Sequence, residues 1–247
     1  MSTWSRSAAQ FFAFILALTV VKSAIAEPYY IPSGSMEPTL LIGDELVATK
    51  YAYGYSSASL ALPFGLTLPP TQRIFGELPA RGDVVVFRSP ADRSQIWVKR
   101  VIGLPGDRVQ MRDGRLWING EIVRQQADGV DQSEDGDGKR IGAVRFIETL
   151  PGGRQHLIFK IDARGQLDDT NEVLVPSGNV FVMGDNRDNS ADSRVPPSAG
   201  GVGLLPVDDV VGRVAGLAGS WDLGKLNDPI WTWPSGLRLS RFFTAVH

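Results

Sequence analysis

From residue 27 onward the apolar residues of this chain come in short runs, each bounded by Gly, Pro, Asn or Asp. The clearest are Val84–Phe87, Ile96–Ile102, Leu116–Ile118, Leu157–Ile161 and Val180–Met183. Short runs rich in β-branched residues between turn formers are strands. No segment in this part keeps a helical period over three turns. The predicted fold class is therefore mainly β. Asp113-Gly114 and Asn119-Gly120 sit beside the runs Val109–Met111, Leu116–Ile118 and Ile122–Val123. Such pairs accept the left-handed backbone of two-residue loops and predict a meander with tight turns. Residues 53–81, rich in Pro, Gly and Ser, predict a long hairpin or loop, and the acidic, Gly-rich residues 125–140 an exposed excursion. Within the latter, Asp131-x-Ser133-x-Asp135-Gly136 matches half of a calcium loop. The twelfth position is Gly142 where a bidentate Glu is required, so a solvated turn is the reading.

The N-terminal segment behaves differently. Residues 8–26, AAQFFAFILALTVVKSAIA, are polar only at Gln10, Lys22 and Ser23 and a little at Thr19. A spanning helix needs about 20 such residues, and Lys22 near one end can carry its ammonium to the headgroups. Arg6, the apolar run and Ala24-Ile25-Ala26 equally fit a cleavable signal peptide. From these residues alone both readings stand. Either delivers the chain to or across a membrane.

Composition removes several chemistries. There is no cysteine, hence no disulfide, thiolate nucleophile or thiolate metal site. Only His156 and His247 are present, so a histidine-rich metal site is excluded and a Ser-His-Asp triad would have to use His156. A net charge of −2 carries no basic footprint for nucleic acid. Neither a metal nor a cofactor is predicted. With 247 residues, 43% of them hydrophobic, the chain can bury a core as one domain or as a core with an inserted subdomain.

Three segments can carry chemistry. IPSGSMEPTL (31–40) places serines in a small-residue loop open to substrate, though a serine hydroxyl needs a base before it can attack. WVKRVIGLPGD (97–107) puts Lys99 and Arg100 inside the apolar run Ile96–Ile102, and strand alternation sends the two to opposite faces. A lysine acting as general base must titrate far below its solution value. Burial supplies that shift because it penalises the ammonium. GDNRDNSADSR (184–194) packs three Asp, two Arg, two Asn and two Ser into eleven residues after an apolar strand. That density suggests side chains tying a loop down beside a site.

Together and in this order, EPYYIPSGSMEPTL (27–40), RGDVVVF (81–87), WVKRVIGLPGDRV (97–109) and GDNRDNSADSR (184–194) resemble the bacterial type I signal peptidases, serine proteases of the Ser/Lys class. The resemblance implies a signal-peptidase-like β catalytic core (27–110 and 178–220), an inserted β-rich subdomain (111–177) and one N-terminal transmembrane helix (1–26) retained as an anchor. The aromatic tail 221–247 would pack on the core or at the membrane interface. It further implies Ser35 as nucleophile, Lys99 as general base, and an oxyanion hole from the Ser33 hydroxyl and the Ser35 N–H. Ser190 would orient the lysine, and Asp192 and Arg194 would form a structural ion pair. Ile31, Pro32, Met36, Trp97 and Val98 would line a shallow groove selecting Ala at the first and third positions before the cut. The implied partners are secretory preproteins and the lipid bilayer, with the catalytic domain on the extracytoplasmic face of the bacterial inner membrane.

After Arg194 the chain departs from the family pattern, reading VPPSAGGVGLLPVDDVVGR, which puts the shape of that loop in doubt. The competing readings are a soluble maturation peptidase for pilus or conjugation proteins, a self-cleaving Ser/Lys regulator, and a non-catalytic membrane-tethered β module.

Overall fold

The computed structural model describes residues 7, 10, 11, 13–15, 25–60, 68–134, 139–222, 224–225 and 228–246. The apolar segment 8–26 falls mostly outside them, and no helix among the described residues is long and apolar enough to cross a membrane.

Fourteen strands run through the described residues. They are β1 (Ala26–Tyr30), β2 (Asp44–Thr49), β3 (Val84–Arg88), β4 (Ile96–Gly103), β5 (Arg108–Arg112), β6 (Arg115–Ile118), β7 (Glu121–Ile122), β8 (Arg124–Glu134), β9 (Arg140–Thr149), β10 (Gln155–Lys160), β11 (Val173–Leu174), β12 (Asn179–Met183), β13 (Leu205–Pro206) and β14 (Val210–Ser220). The protein is mainly β. A seven-stranded sheet has the order β1-β2-β14-β3-β4-β12-β13, and β4 and β12 are neighbours in it. The chain between those two strands forms a four-stranded sheet, β11-β5-β6-β7, and a three-stranded one, β10-β9-β8.

Burial on both faces explains why β3 reads as the unbroken run Val84–Phe87. Val84 and Val86 enter one core cluster with Leu40, Leu46 and Val214, whereas Val85 and Phe87 enter another with Val101, Val182 and Leu205. Residues two apart share a face. In β12, Val180 and Val182 likewise join the second cluster while Phe181 and Met183 pack against Ile102, Val109 and Leu116. The predicted tight turns form, with positive φ at Asp113, Gly114, Asn119 and Gly120, the geometry that matches the twist of the flanking strands.

The described part of the excursion expected over residues 125–140 is mostly exposed, as predicted, and it is a paired strand. β8 pairs with β9 from Arg124↔Thr149 to Glu134↔Arg140, although residues 135–138 lie outside the described set. The strand escaped notice because its residues, RQQADGVDQSE, are nearly all solvated and carry no apolar alternation. Backbone pairing holds it, with Arg145 clamping Asp128 at 2.7 Å and Asp131 at 3.0 Å. Between residues 53 and 81 the described residues follow the loop reading rather than the hairpin one. They make a 3-10 turn at Ser57–Ser59 and a single bridge, Tyr55↔Ile74.

The C-terminal residues return along the large sheet. Phe243 N donates to Leu217 O, and Arg241 pairs with Asp44 at 2.5 Å. Trp231 remains 78% exposed.

Candidate active site

The loop that carries Ser35 leaves β1 through Ile31 and Pro32 and makes a short 3-10 turn over Gly34–Met36. Met36 and Ile31 are anchored in the core beneath it, so the turn is pinned from inside while Ser33 stays exposed and Ser35 half-buried. From β4, Lys99 reaches across so that its Nζ lies 2.7 Å from Ser35 Oγ. The Ser33 hydroxyl is 3.5 Å from the same oxygen. Lys99 also donates to the carbonyl of Val98 at 3.0 Å. Only 4% of the lysine is exposed. Burial pushes its pKa down to about 8, against the pull of the Asp192 and Asp185 carboxylates, which favour the ammonium.

Lys99 and Arg100 part company as strand alternation predicts, but both are buried. Arg100, with no exposed surface, forms a two-point pair with Asp185 at 2.8 and 2.7 Å and donates to Gly82 O at 2.8 Å. Thr39 Oγ1 donates to the same carboxylate at 2.5 Å. His156 lies 3.4 Å from Asp185 and 3.2 Å from Glu148, and Glu148 pairs in turn with Arg187. Burial opposes charge on both carboxylates. The arginines and His156 outweigh it, holding Asp185 well below its ordinary range and Glu148 at about 2. His156 thus sits between two carboxylates with its Nδ1 3.3 Å from Leu157 O, and the Ser35 hydroxyl faces Lys99 and Ser33.

Asp192 and Arg194 form a two-point ion pair at 2.9 and 2.8 Å. Asp192 also accepts from Gly184 N at 3.0 Å, and Arg194 donates to Arg187 O at 2.7 Å. The contact the resemblance implied for Ser190 is absent: its buried Oγ has no hydrogen-bond partner. It points into the space over Gly184, where a Cβ would meet Ser190 Oγ at 2.3 Å and the Ser35 carbonyl at 2.5 Å. A glycine is required there for the two segments to pack. The atypical loop after Arg194 closes on itself, with Gly203 N donating to Val195 O and Val202 N to Asp192 O. It braces Asp192 and leaves the contact between Lys99 and Ser35 intact.

Ile31, Pro32, Met36, Trp97 and Val98 line one groove of about 580 Å³ together with Ser33, Ser35 and Lys99. Tyr29, Tyr30, Gln95, Ile96, Asn189 and Ala191 complete its walls. Sequence reasoning had not singled out the two tyrosines or Ile96, though each adjoins a motif residue. It also missed Asp185, Arg187, Glu148 and Asn186. The charge density of residues 184–194 was the available signal, but their partners lie far along the chain.

A family model for signal peptidase, peptidase S26, matches residues 4–217. The signal peptidase I of Rickettsia typhi is 37% identical over 252 residues, covering 96% of this chain and 92% of the relative. That of Rickettsia prowazekii matches with the same identity and coverage. A solved structure of a signal peptidase I from Enterococcus faecalis V583 is 26% identical, covering 56% of this chain and 97% of its own, with a TM-score of 0.32. The sequence matches carry the assignment: the chain belongs to the signal peptidase family, peptidase S26, and is a serine peptidase of the bacterial signal peptidase I type.

Proposed function

We propose that the protein removes N-terminal signal peptides from secretory preproteins, with Ser35 as nucleophile and Lys99 as general base. The observation that carries this reading is the 2.7 Å contact between Lys99 Nζ and Ser35 Oγ, made by a buried lysine whose proton is held weakly. Neutral Lys99 takes the Ser35 proton as Oγ attacks the scissile carbonyl. The resulting oxyanion is held by the Ser35 N–H and the Ser33 hydroxyl, and losing one such donor costs about 10²–10³ in rate. The Lys99 ammonium then protonates the leaving amine, which is the new N-terminus of the mature protein. Water, deprotonated by Lys99, hydrolyses the ester on Ser35 and frees the signal peptide. The scheme closes with the chain's own side chains, one backbone N–H and water, and calls on no metal or cofactor. Gly184 and Ser190 hold the wall behind Ser35, and Asp192 with Arg194 holds Gly184.

β1 is the edge of the large sheet among the described residues, and its end, Tyr29–Tyr30, borders the groove. An extended substrate can pair with that edge, as exposed strands allow. Its alternate side chains would meet Ile31, Met36 and Val98, which favour Ala at the first and third positions before the cut. Residues 8–26 serve as a single membrane anchor, placing the catalytic domain on the extracytoplasmic face of the inner membrane, with exposed Trp231 at the lipid interface. The inserted subdomain is residues 111–177.

The test is cleavage of a secretory precursor by the full-length protein in detergent, wild type against Ser35→Ala and Lys99→Ala. Each variant should lose at least about 10³ in kcat. Near-wild-type cutting by either one overturns the dyad.

A further inference from the structure

β8 is a solvated strand with one exception. Of its residues only Ser133 is buried, at 1% exposure. A lone buried hydroxyl near the end of a polar hairpin needs a partner, since burying it unpaired is costly. Its partners belong to the nucleophile loop and to the charged loop behind it. Ser133 Oγ is 2.6 Å from Glu37 Oε2, two residues after Ser35, and 2.7 Å from Asn186 Nδ2. A carboxylate only accepts and an amide NH2 only donates. The Ser133 hydroxyl therefore takes the Asn186 hydrogen and gives its own to Glu37, in a single orientation. Glu134 N donates to the same Glu37 oxygen at 3.1 Å.

The second half of the constellation is backbone. Asn186 Nδ2 also donates to Gly34 O at 3.1 Å, and Asn186 N donates to Ser35 O at 3.2 Å. Two consecutive carbonyls of the nucleophile loop thus hang on one residue whose side chain is held by Ser133. From the other side Asn189 Nδ2 donates to Glu134 O at 3.2 Å. The approach is close: a Cβ on Gly34 would lie 3.0 Å from Glu134 O. Glu37 is buried, which raises its pKa, and the hydrogen bonds from Ser133 and Glu134 pull it back toward the carboxylate.

We propose that the β8–β9 hairpin is a brace for the nucleophile loop, in which Ser133, Glu37 and Asn186 are positioning residues that fix the backbone of Gly34–Ser35. This rests on the reading of Ser35 as nucleophile. The orientation of Ser35 Oγ and the direction of its N–H follow from that backbone. Small misplacements of a reacting group cost far more in rate than in binding.

The experiment uses the full-length protein in detergent with a precursor substrate, comparing Ser133→Ala, Ser133→Thr, Glu37→Ala and the double variant Ser133→Ala/Glu37→Ala. Ser133→Ala should lower kcat roughly 10- to 100-fold with KM within about twofold, as expected when a transition-state geometry is loosened. The acidic limb of the pH profile should not move, because Lys99 is untouched. Ser133→Thr, which keeps the hydroxyl, should recover most of the rate. The double variant should be no slower than the slower single, since both remove one shared interaction. A kcat within twofold of wild type for Ser133→Ala, a loss confined to KM, or single losses that multiply in the double overturns the proposal. If Glu37→Ala does not fold, the Ala and Thr variants of Ser133 decide alone. Ser35→Ala and Lys99→Ala run beside them. Activity in those two sinks the dyad, whereas inactive dyad variants beside an unaffected Ser133→Ala sink only the brace.

Discussion

Lys99 Nζ stands 2.7 Å from Ser35 Oγ in a site that leaves the lysine almost no contact with water. Its ammonium is favoured by Asp192 and Asp185 and opposed by burial, and burial prevails, bringing its pKa down to about 8 from 10.5. The same residue can therefore lend and recover a proton close to physiological pH.

The pH dependence follows directly. In the proposed mechanism only neutral Lys99 can accept the Ser35 proton, so kcat/KM should rise with pH through an acidic limb centred near 8. A steady-state profile between pH 5 and 10 checks it, on the about-neutral scale where general bases operate. An acidic limb near the ordinary carboxylate range would mean that another group is the base.

Stability should show the opposite side of this arrangement. Folded Lys99 releases its proton near 8 and the unfolded chain near 10.5. The unfolded state holds more protons between those values, so this residue's contribution to stability rises with pH across that window. At neutral pH the buried ammonium costs roughly 3 kcal/mol. Lys99→Met should be inactive yet more stable at pH 7 in urea unfolding, with the gain shrinking as pH rises from 8 to 10.5. A variant less stable than wild type at pH 7 would contradict the burial argument.

Trp97 bears on the same equilibrium. Its ring centroid lies 5.7 Å from Lys99 Nζ, and its Nε1 is tethered to Gln95 at 3.1 Å. The ring face attracts the ammonium by about 0.5–1 kcal/mol. Trp97→Leu should then shift the acidic limb to lower pH by roughly half a unit, separately from any change in KM through the groove. A limb that stays put or moves upward removes the ring from the account.

Gly184→Ala is expected to be harmful out of proportion to its size. The added Cβ meets the Ser190 side chain and the Ser35 carbonyl, both at or below 2.5 Å. Relief requires moving the loop that carries Ser35, so kcat should fall by about 10²-fold. Thermal unfolding should report a loss of about 1–3 kcal/mol. Unchanged kinetics would show that the loop can shift freely.

Glu148→Gln tests the buried charge chain. Arg187 would keep its charge while buried, and breaking such a pair costs about 3–5 kcal/mol. Wild-type Glu148 stays ionised down to about 2 because Arg187 and His156 outweigh its burial. Its contribution is complete above the unfolded value of 4.5 and is lost as pH falls toward 2. The variant should lose most stability at neutral pH and differ least from wild type in acid, which a urea series at several pH values measures.

The sequence by itself determined the β class, because strands buried on both faces must be apolar throughout, as Val84–Phe87 is. It also determined the tight turns at Asp113-Gly114 and Asn119-Gly120, where few residues tolerate the required backbone. Ordered motifs pointed to Ser35, Ser33 and Lys99, and to Ile31, Pro32, Met36, Trp97 and Val98, which the fold gathers around one groove. Hidden from it were β8, whose polar residues pair through the backbone alone, and the partners that span the chain: Asp185 with Arg100, Glu148 with Arg187, Ser133 with Glu37. A buried charge carries no periodic signature, since its energy depends on which distant group arrives beside it. That arrival, the unbonded Ser190 hydroxyl and the lowered proton affinity of Lys99 were decided only when the strands closed around them.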